Sequence, residues 1–462
     1  MTRAETIERL EAAFDDGSFL DDLARRVAIR TESQTAGSLP ELARYLNDEM
    51  RPALESLEYR VEIFDNPVNG AGPLLVGRRR EGSGLPTVLT YGHGDVVRGL
   101  DDEWTAGLDP WTVTRRGDRI YGRGVADNKG QHSVNLAAIR AVIATRGRLG
   151  FNSTVLIETG EEVGSPGLHD FVREHRELLD ADVLIASDGP RLSPTRPTLF
   201  MGSRGALDLD LEVRLRDGGH HSGNWGGLLA NPGVVLAHAL ASIIDRHGRV
   251  LVRDLVPQQL SASVRAALAD CVIEPSAGSP DIDPDWGEPG LTAAEQLFGW
   301  NTFEVLAFRT GNPDHPVNAI PPTARARCQI RYTVDTDPAT FVPAVRRHLD
   351  EAGFAEVTVA ASPGPASWEA TRLDPEHPWV QWVAASVERT TGQPPALLPN
   401  LGGSLPNDAF AITLGLPTIW VPHSYASCSQ HAPDEHGSAA IIREGLQIMG
   451  GIFWDLGDKV PA

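Results

Sequence analysis

Apolar residues recur along this chain at two periods. Ile7, Leu10 and Phe14 repeat at helical spacing, as do Leu42, Tyr45 and Leu46, and they predict helices up to about residue 60. Tyr59–Phe64 alternates and predicts a strand, with further strands at Leu74–Gly77 and Thr87–Tyr91. Val134–Ile143 reads as an apolar helix, and Val155–Ile157 as a buried strand. Pro166 suits the first turn of a helix running to Leu179. Val183–Ala186 is the next strand. Strands alternating with helices predict an α/β fold, a largely parallel sheet flanked by helices on both faces. In such sheets, sites form beyond the carboxyl ends of the strands.

The pattern changes near Gly202. Leu207, Leu209, Leu211, Val213 and Leu215 alternate with Asp208, Asp210, Glu212 and Arg214, as in an antiparallel strand with one wet face. Helices are expected at 232–246 and 257–269, a loop over Glu274–Pro289, and strands at Phe303–Phe308 and Arg327–Val334. A helix over Pro338–Leu349 and a strand at Val357–Val359 follow. From Trp368 the helix and strand alternation returns. The expected organisation is one domain built from 1–203 and 363–462, with a smaller α+β domain, 204–362, inserted into it. No internal repeat or low-complexity tail is visible.

Composition narrows the function classes. A chain of 462 residues exceeds what one compact core usually serves. The net charge of -21 argues against a nucleic-acid partner, because phosphate binding needs a basic face. No apolar run is long enough for a bilayer, and Met1–Glu5 opens no apolar leader. Only Cys271, Cys328 and Cys428 are present, with no Cys-x-x-Cys pair. That sparse, odd set fits a reducing cytoplasm.

Acids and histidines collect where apolar runs end: His93, Asp95, Asp127, Glu161, Glu162, Asp188 and His431. Imidazole and carboxylate are zinc ligands, and two metals sharing one carboxylate can together activate water and polarise a carbonyl. His93 and Asp95, two apart in extended chain, face one way, so Asp95 can fix the His93 tautomer. Taken singly, each residue has an ordinary use. His93 suits a hydrogen-bonded loop, Asp127 a helix N-cap, and Glu161-Glu162 a solvated pair. By position, His431 and His436 are equal candidates. The glycine run Gly122–Gly130 lacks the Walker spacing, which removes a phosphate loop. No Gly-x-Ser-x-Gly elbow is present, which disfavours a serine hydrolase. What distinguishes His93, Asp127, Glu161-Glu162 and Asp188 is that all follow strands of one expected sheet.

Five motifs in this order, His93-Gly94-Asp95, Gly122–Gly130, Glu161-Glu162, Ser187-Asp188-Gly189 and His431, resemble the dinuclear zinc metallopeptidase family. That family includes carboxypeptidase G, aminoacylase, acetylornithine deacetylase and the carnosine-type dipeptidases. The resemblance covers nearly the whole chain. It implies that Asp127 bridges two divalent metals, most simply zinc, with manganese or cobalt as alternatives. His93 and Asp188 would complete one site, Glu162 and His431 the other. Glu161 would be the general base, with Asp95 behind the ligands. Residues 204–362 resemble the family's lid or dimerisation domain. Within it, His221 in Gly219–Gly227 would stabilise the oxyanion, supplied by a partner subunit in dimeric relatives. Asn318 and Arg331 would contact substrate, as would the loop Gly402-Gly403-Ser404. One departure is plain: Asn400-Leu401 stand where the carnosine-type dipeptidases tend to carry Arg-Glu.

The expected function is metal-dependent hydrolysis of an amide or peptide bond in a dipeptide or N-acyl amino acid by a cytoplasmic homodimer. Two other readings stand beside it. One is a deacylase of N-acyl amino acids or a carbamoyl-amide hydrolase. The other is a non-catalytic, metal-binding dimer. No nucleic-acid or membrane partner is expected.

Overall fold

The computed structural model describes residues 2–273, 280–362 and 368–461. Eight strands form a central sheet in the order Arg60–Phe64, Leu74–Arg79, Asn152–Glu158, Thr87–His93, Val183–Ala186, Thr418–Trp420, Thr198–Phe200 and Ala396–Leu398. Its middle is parallel: Thr87–His93 pairs in parallel with Asn152–Glu158 and Val183–Ala186, and the latter pairs in parallel with Thr418–Trp420. The sheet is nevertheless mixed. Arg60–Phe64 and Leu74–Arg79 run antiparallel at one edge, and Trp420 meets Phe200 antiparallel near the other. The largely parallel sheet expected is found through the middle, and the antiparallel pairs lie toward its edges, where short connections after Phe64 and Arg79 allow strands to turn back without a crossover helix.

Helices cover both faces of this sheet. Lys129–Arg146 is buried along most of its length and packs on Arg3–Asp15 and Ala439–Leu456. Val88, Val155, Ile157, Val183, Ile185 and Ile419 bury against these helices. Leu89, Tyr91, Leu156, Leu184, Ala186 and Trp420 point to the opposite core with Leu168, Phe171 and Phe410. Alternate residues of one strand thus serve two cores, which is why the strands read as continuous apolar runs.

A second sheet is wholly antiparallel, in the order Thr302–Thr310, Thr323–Tyr332, Gly205–Arg214 and Val357–Ser362. Leu209, Leu211 and Val213 are buried under the helices Pro232–Ile243 and Phe341–Glu351. On the other face, Asp208 and Asp210 pair with Arg325, Arg327 and Gln329. The strand expected at Arg327–Val334 begins earlier, at Thr323, because its polar residues face these acids. The helix expected at 257–269 is shorter, Ala262–Leu268, and Ser261 caps it by accepting from Val264 N–H. The helix expected from Pro166 starts at Leu168, after Gly167 at φ 78°, and breaks at His175 before Arg176–Leu179. Part of the expected loop (274–279) and the return to the first sheet at 363–367 lie outside the described residues. No described helix is long and apolar enough to cross a membrane.

Candidate metal centre

The parallel strands deliver their carboxyl ends to one edge. His93 is the last residue of Thr87–His93, Glu161 and Glu162 follow Asn152–Glu158, and Asp188 follows Val183–Ala186. Strand packing forces close approach here: a Cβ on Gly92 would lie 2.6 Å from His132 Cβ. Asp127 ends the glycine-rich loop just before the helix at Lys129, and His431 comes from the loop between Tyr425 and His436.

Two groups of ligand atoms form, each within 4.8 Å: His93, Asp127 and Asp188, then Asp127, Glu162 and His431. Asp127 belongs to both. Its Oδ1 lies 3.1 Å from His93 Nε2, and its Oδ2 lies 3.1 Å from His431 Nε2. His93 Nε2 is also 3.7 Å from Asp188, and His431 Nε2 is 3.1 Å from Glu162. Glu161 belongs to neither group. His436, equal to His431 by position, instead bonds Tyr425 Oη and the Asp434 carbonyl.

The acids crowd one another. Burial pushes Glu162 up to about 7 and Asp188 up to about 6, and the Asp127 charge adds to both. Burial also raises Glu161 well above the carboxylate range, with His93 opposing and Glu162 and Asp188 reinforcing. Burial alone would lower His93, but the hydrogen bonds its ring donates to Asp127 and Asp95 raise it well above its ordinary value. Four carboxylates and two imidazoles in one pocket are a donor set that divalent cations neutralise. The residues fit metal binding.

Surrounding contacts fix these groups. His93 Nδ1 bonds the carbonyl of Asp95 at 3.1 Å, which leaves Nε2 for the cluster. The Asp95 carboxylate mainly serves another purpose: it accepts the backbone N–H groups of Glu161 and Glu162, each at 3.1 Å. Asp95 therefore orients the two glutamates more than the imidazole. Glu435 has a matching task. It accepts from the N–H groups of Gly124, Ala126 and Asp127 and pairs with buried Arg123 at 2.8 Å. Arg123 also donates to the Ala432 carbonyl, next to His431. This couple ties the Asp127 loop to the His431 loop. The His431 loop holds Ser429, His431 and Asp434 at φ 56°, 59° and 61°. Left-handed backbone at non-glycine residues costs about 1–3 kcal/mol each and persists where neighbours enforce it. Here Thr105 enforces it by donating twice to Asp434.

The remaining candidates fall into two places. Arg331 donates to Ser404 Oγ at 2.7 Å, and Arg204 donates to the Gly402 carbonyl at 2.9 Å. This brings Arg331, Gly402, Gly403 and Ser404 together. His221 and Asn318 are exposed and adjacent, with Ser222 N–H bonded to the Asn318 carbonyl. Among the described residues, neither touches the metal-binding groups.

Sequence reasoning gave no role to Glu435 or Arg123. A lone acid in a loop reads as solvated, and no local pattern links two residues more than 300 apart.

Comparison with known proteins gives the same assignment. The model of peptidase family M20/M25/M40 matches residues 89–455. A cysteinylglycine-S-conjugate dipeptidase of Corynebacterium striatum is 26% identical, over 76% of this chain and 76% of its own. A beta-Ala-His dipeptidase of Rattus norvegicus is 25% identical, over 99% of this chain and 98% of its own. In fold, the chain resembles an M20 family metallo-carboxypeptidase of Sulfolobus solfataricus, with a TM-score of 0.77 at 24% identity, covering 95% of this chain and 99% of that one. Since the matched span runs from the His93 strand through the His431 loop into the last helix, the motifs and the scaffold that gathers them are matched together, and the chain belongs to peptidase family M20/M25/M40 as a metallopeptidase.

Proposed function

We propose that this enzyme hydrolyses dipeptides with two divalent metals, zinc by preference, at the centre shared by Asp127. His93 and Asp188 hold one metal with Asp127, and Glu162 and His431 hold the other. The observation that carries this reading is the division of Asp127, one oxygen toward each histidine. Zinc accepts this mixture of imidazole and carboxylate, and manganese or cobalt accepts the same donors. Bound metals supply acidification of a water and polarisation of the scissile carbonyl. Glu161, half-buried and outside both ligand groups, would take a proton from the attacking water and return it to the leaving amine. Arg331 and the Gly402–Ser404 loop hold the substrate on the side facing the second sheet. The dipeptide class rests on the two curated relatives, both dipeptidases by name.

Residues 204–362 act in this reading as a lid and dimerisation domain inserted into the catalytic domain of 1–203 and 363–462. Its strand Thr302–Thr310 is a sheet edge that exposes Val305, Leu306 and Phe308. Exposed apolar edges invite pairing with another chain, and a second copy is the partner proposed. His221, exposed and apart from the metal groups, then serves the partner's site as oxyanion donor, with Asn318 beside it. A cytoplasmic location accords with three free cysteines.

The test is an assay of metal-reconstituted protein against dipeptides and N-acyl amino acids, with metal content measured on the same sample. Dipeptide cleavage at two metals per chain is expected. Turnover of N-acyl amino acids alone would replace the dipeptidase reading with a deacylase.

A further inference from the structure

A cavity of about 570 Å³ lies between the segment that follows Asp188 and the Gly402-Gly403 loop, a size typical of small-molecule subsites. Its wall is apolar, formed by Leu192, Pro194, Leu297, Phe298, Leu398 and Leu401. Pro190, two residues past Asp188, lines the cavity. Gly189, next to Asp188, approaches Leu401 so closely that a Cβ there would lie 3.3 Å from Leu401 Cδ2. Gly402 and Gly403 border the same space.

Charge is nearly absent from the cavity. No acidic side chain is among its described lining residues. The one basic residue, Arg191, is 2% exposed; its Nε donates to the Pro422 carbonyl and its Nη1 to Glu444, while its buried Nη2 finds no partner among the described residues. An ammonium or carboxylate entering this space would lose hydration against a mostly apolar wall whose one charged group is buried. An apolar group would be drawn in by its removal from water.

We propose that this cavity receives one side chain of the dipeptide substrate and selects bulky apolar residues of leucine or phenylalanine size. The proposal rests on the dipeptidase reading above. Leu401 sets the apolar character next to Asp188, and Leu297 closes the wall beside Gly402, with its Cδ1 at 3.0 Å from where a Cβ would stand.

The experiment measures kcat/KM of the metal-loaded enzyme on two dipeptide series. Each series varies one position through Gly, Ala, Leu, Phe, Asp and Lys. Wild type is compared with Leu297→Trp, a change at a side chain 39% exposed, so the core is left alone while the indole occupies the cavity. In one series, Leu and Phe should exceed Gly by at least about tenfold, with Asp and Lys below Gly. In Leu297→Trp the Phe-to-Gly ratio should fall to about one. Equal rates across both series, or a Phe preference untouched by Leu297→Trp, would overturn the subsite and leave the dipeptidase reading standing. No turnover of any dipeptide by fully loaded protein would overturn that reading, and the subsite with it.

Discussion

At the scale of single residues, the site divides into groups that touch metal or substrate and groups that hold those in place. The nearness of His93, Asp127, Glu162, Asp188 and His431 was partly legible, because the apolar runs before His93, Glu162 and Asp188 predict the strands that deliver them to one edge. Glu435 was not legible. Its importance lies in three backbone N–H groups and the Arg123 guanidinium, none near it in sequence. Glu435→Gln removes the charge that Arg123 faces at a fully buried pair. Breaking such a pair costs about 3–5 kcal/mol, and loss of outer-shell support weakens metal binding about 10- to 100-fold. Denaturant unfolding and chelator competition would read the two effects. Wild-type values in both would show that Glu435 is a bystander. Asp95 was legible as a supporting residue, but its partners were not. Sequence pointed it at His93, whose Nδ1 lies 3.5 Å from its carboxylate, but did not reveal that folding also brings the Glu161 and Glu162 amides within reach.

At the scale of elements, the fold was clearest where a strand buries both faces, as in Thr87–His93, or strictly alternates, as in Gly205–Arg214. It was least clear where polar residues satisfy one another across strands. Thr323–Ala326 fell outside the strand expected from Arg327, because the polar face of this stretch is satisfied only by Asp210 on the neighbouring strand. Helix ends also escaped, because Gly167 and His175 set them through backbone geometry rather than apolar spacing. One element junction carries a pH signature. His169, at the start of Leu168–Glu174, lies 3.1 Å from Asp408, which caps Ala409–Leu414. The bond to Asp408, opposed by burial, raises the His169 imidazole above its ordinary value. Stability from such a group is whole below its unfolded value of about 6.5 and is lost as pH rises through the higher folded value. His169→Asn should therefore narrow the gap in Tm between about pH 6 and about pH 8. A gap identical to wild type would mean that the imidazole stays neutral in the fold.

At the scale of the whole molecule, the two sheets divide the work. One gathers the candidate metal-binding groups, and the other carries an apolar edge, while His221 lies on a separate short pairing with Ala319, beside Asn318. If His221 serves the partner's centre, mixed dimers of His221→Ala with Glu161→Gln should regain activity that each parent lacks, because one of the two sites is then intact. Mixed dimers as inactive as their parents would remove the shared site. The proposed chemistry turns on two roles: Asp127 would be shared by two metals, and Glu161 would move the proton without holding either. Metal content and dipeptide turnover, measured together on wild type and Glu161→Gln, test it most directly. The account predicts two metals per chain in both proteins, with turnover reduced by about 100-fold or more in the variant. A variant that loses metal would make Glu161 a ligand, and one that turns over near the wild-type rate would leave the proton transfer to another group; either result contradicts the account.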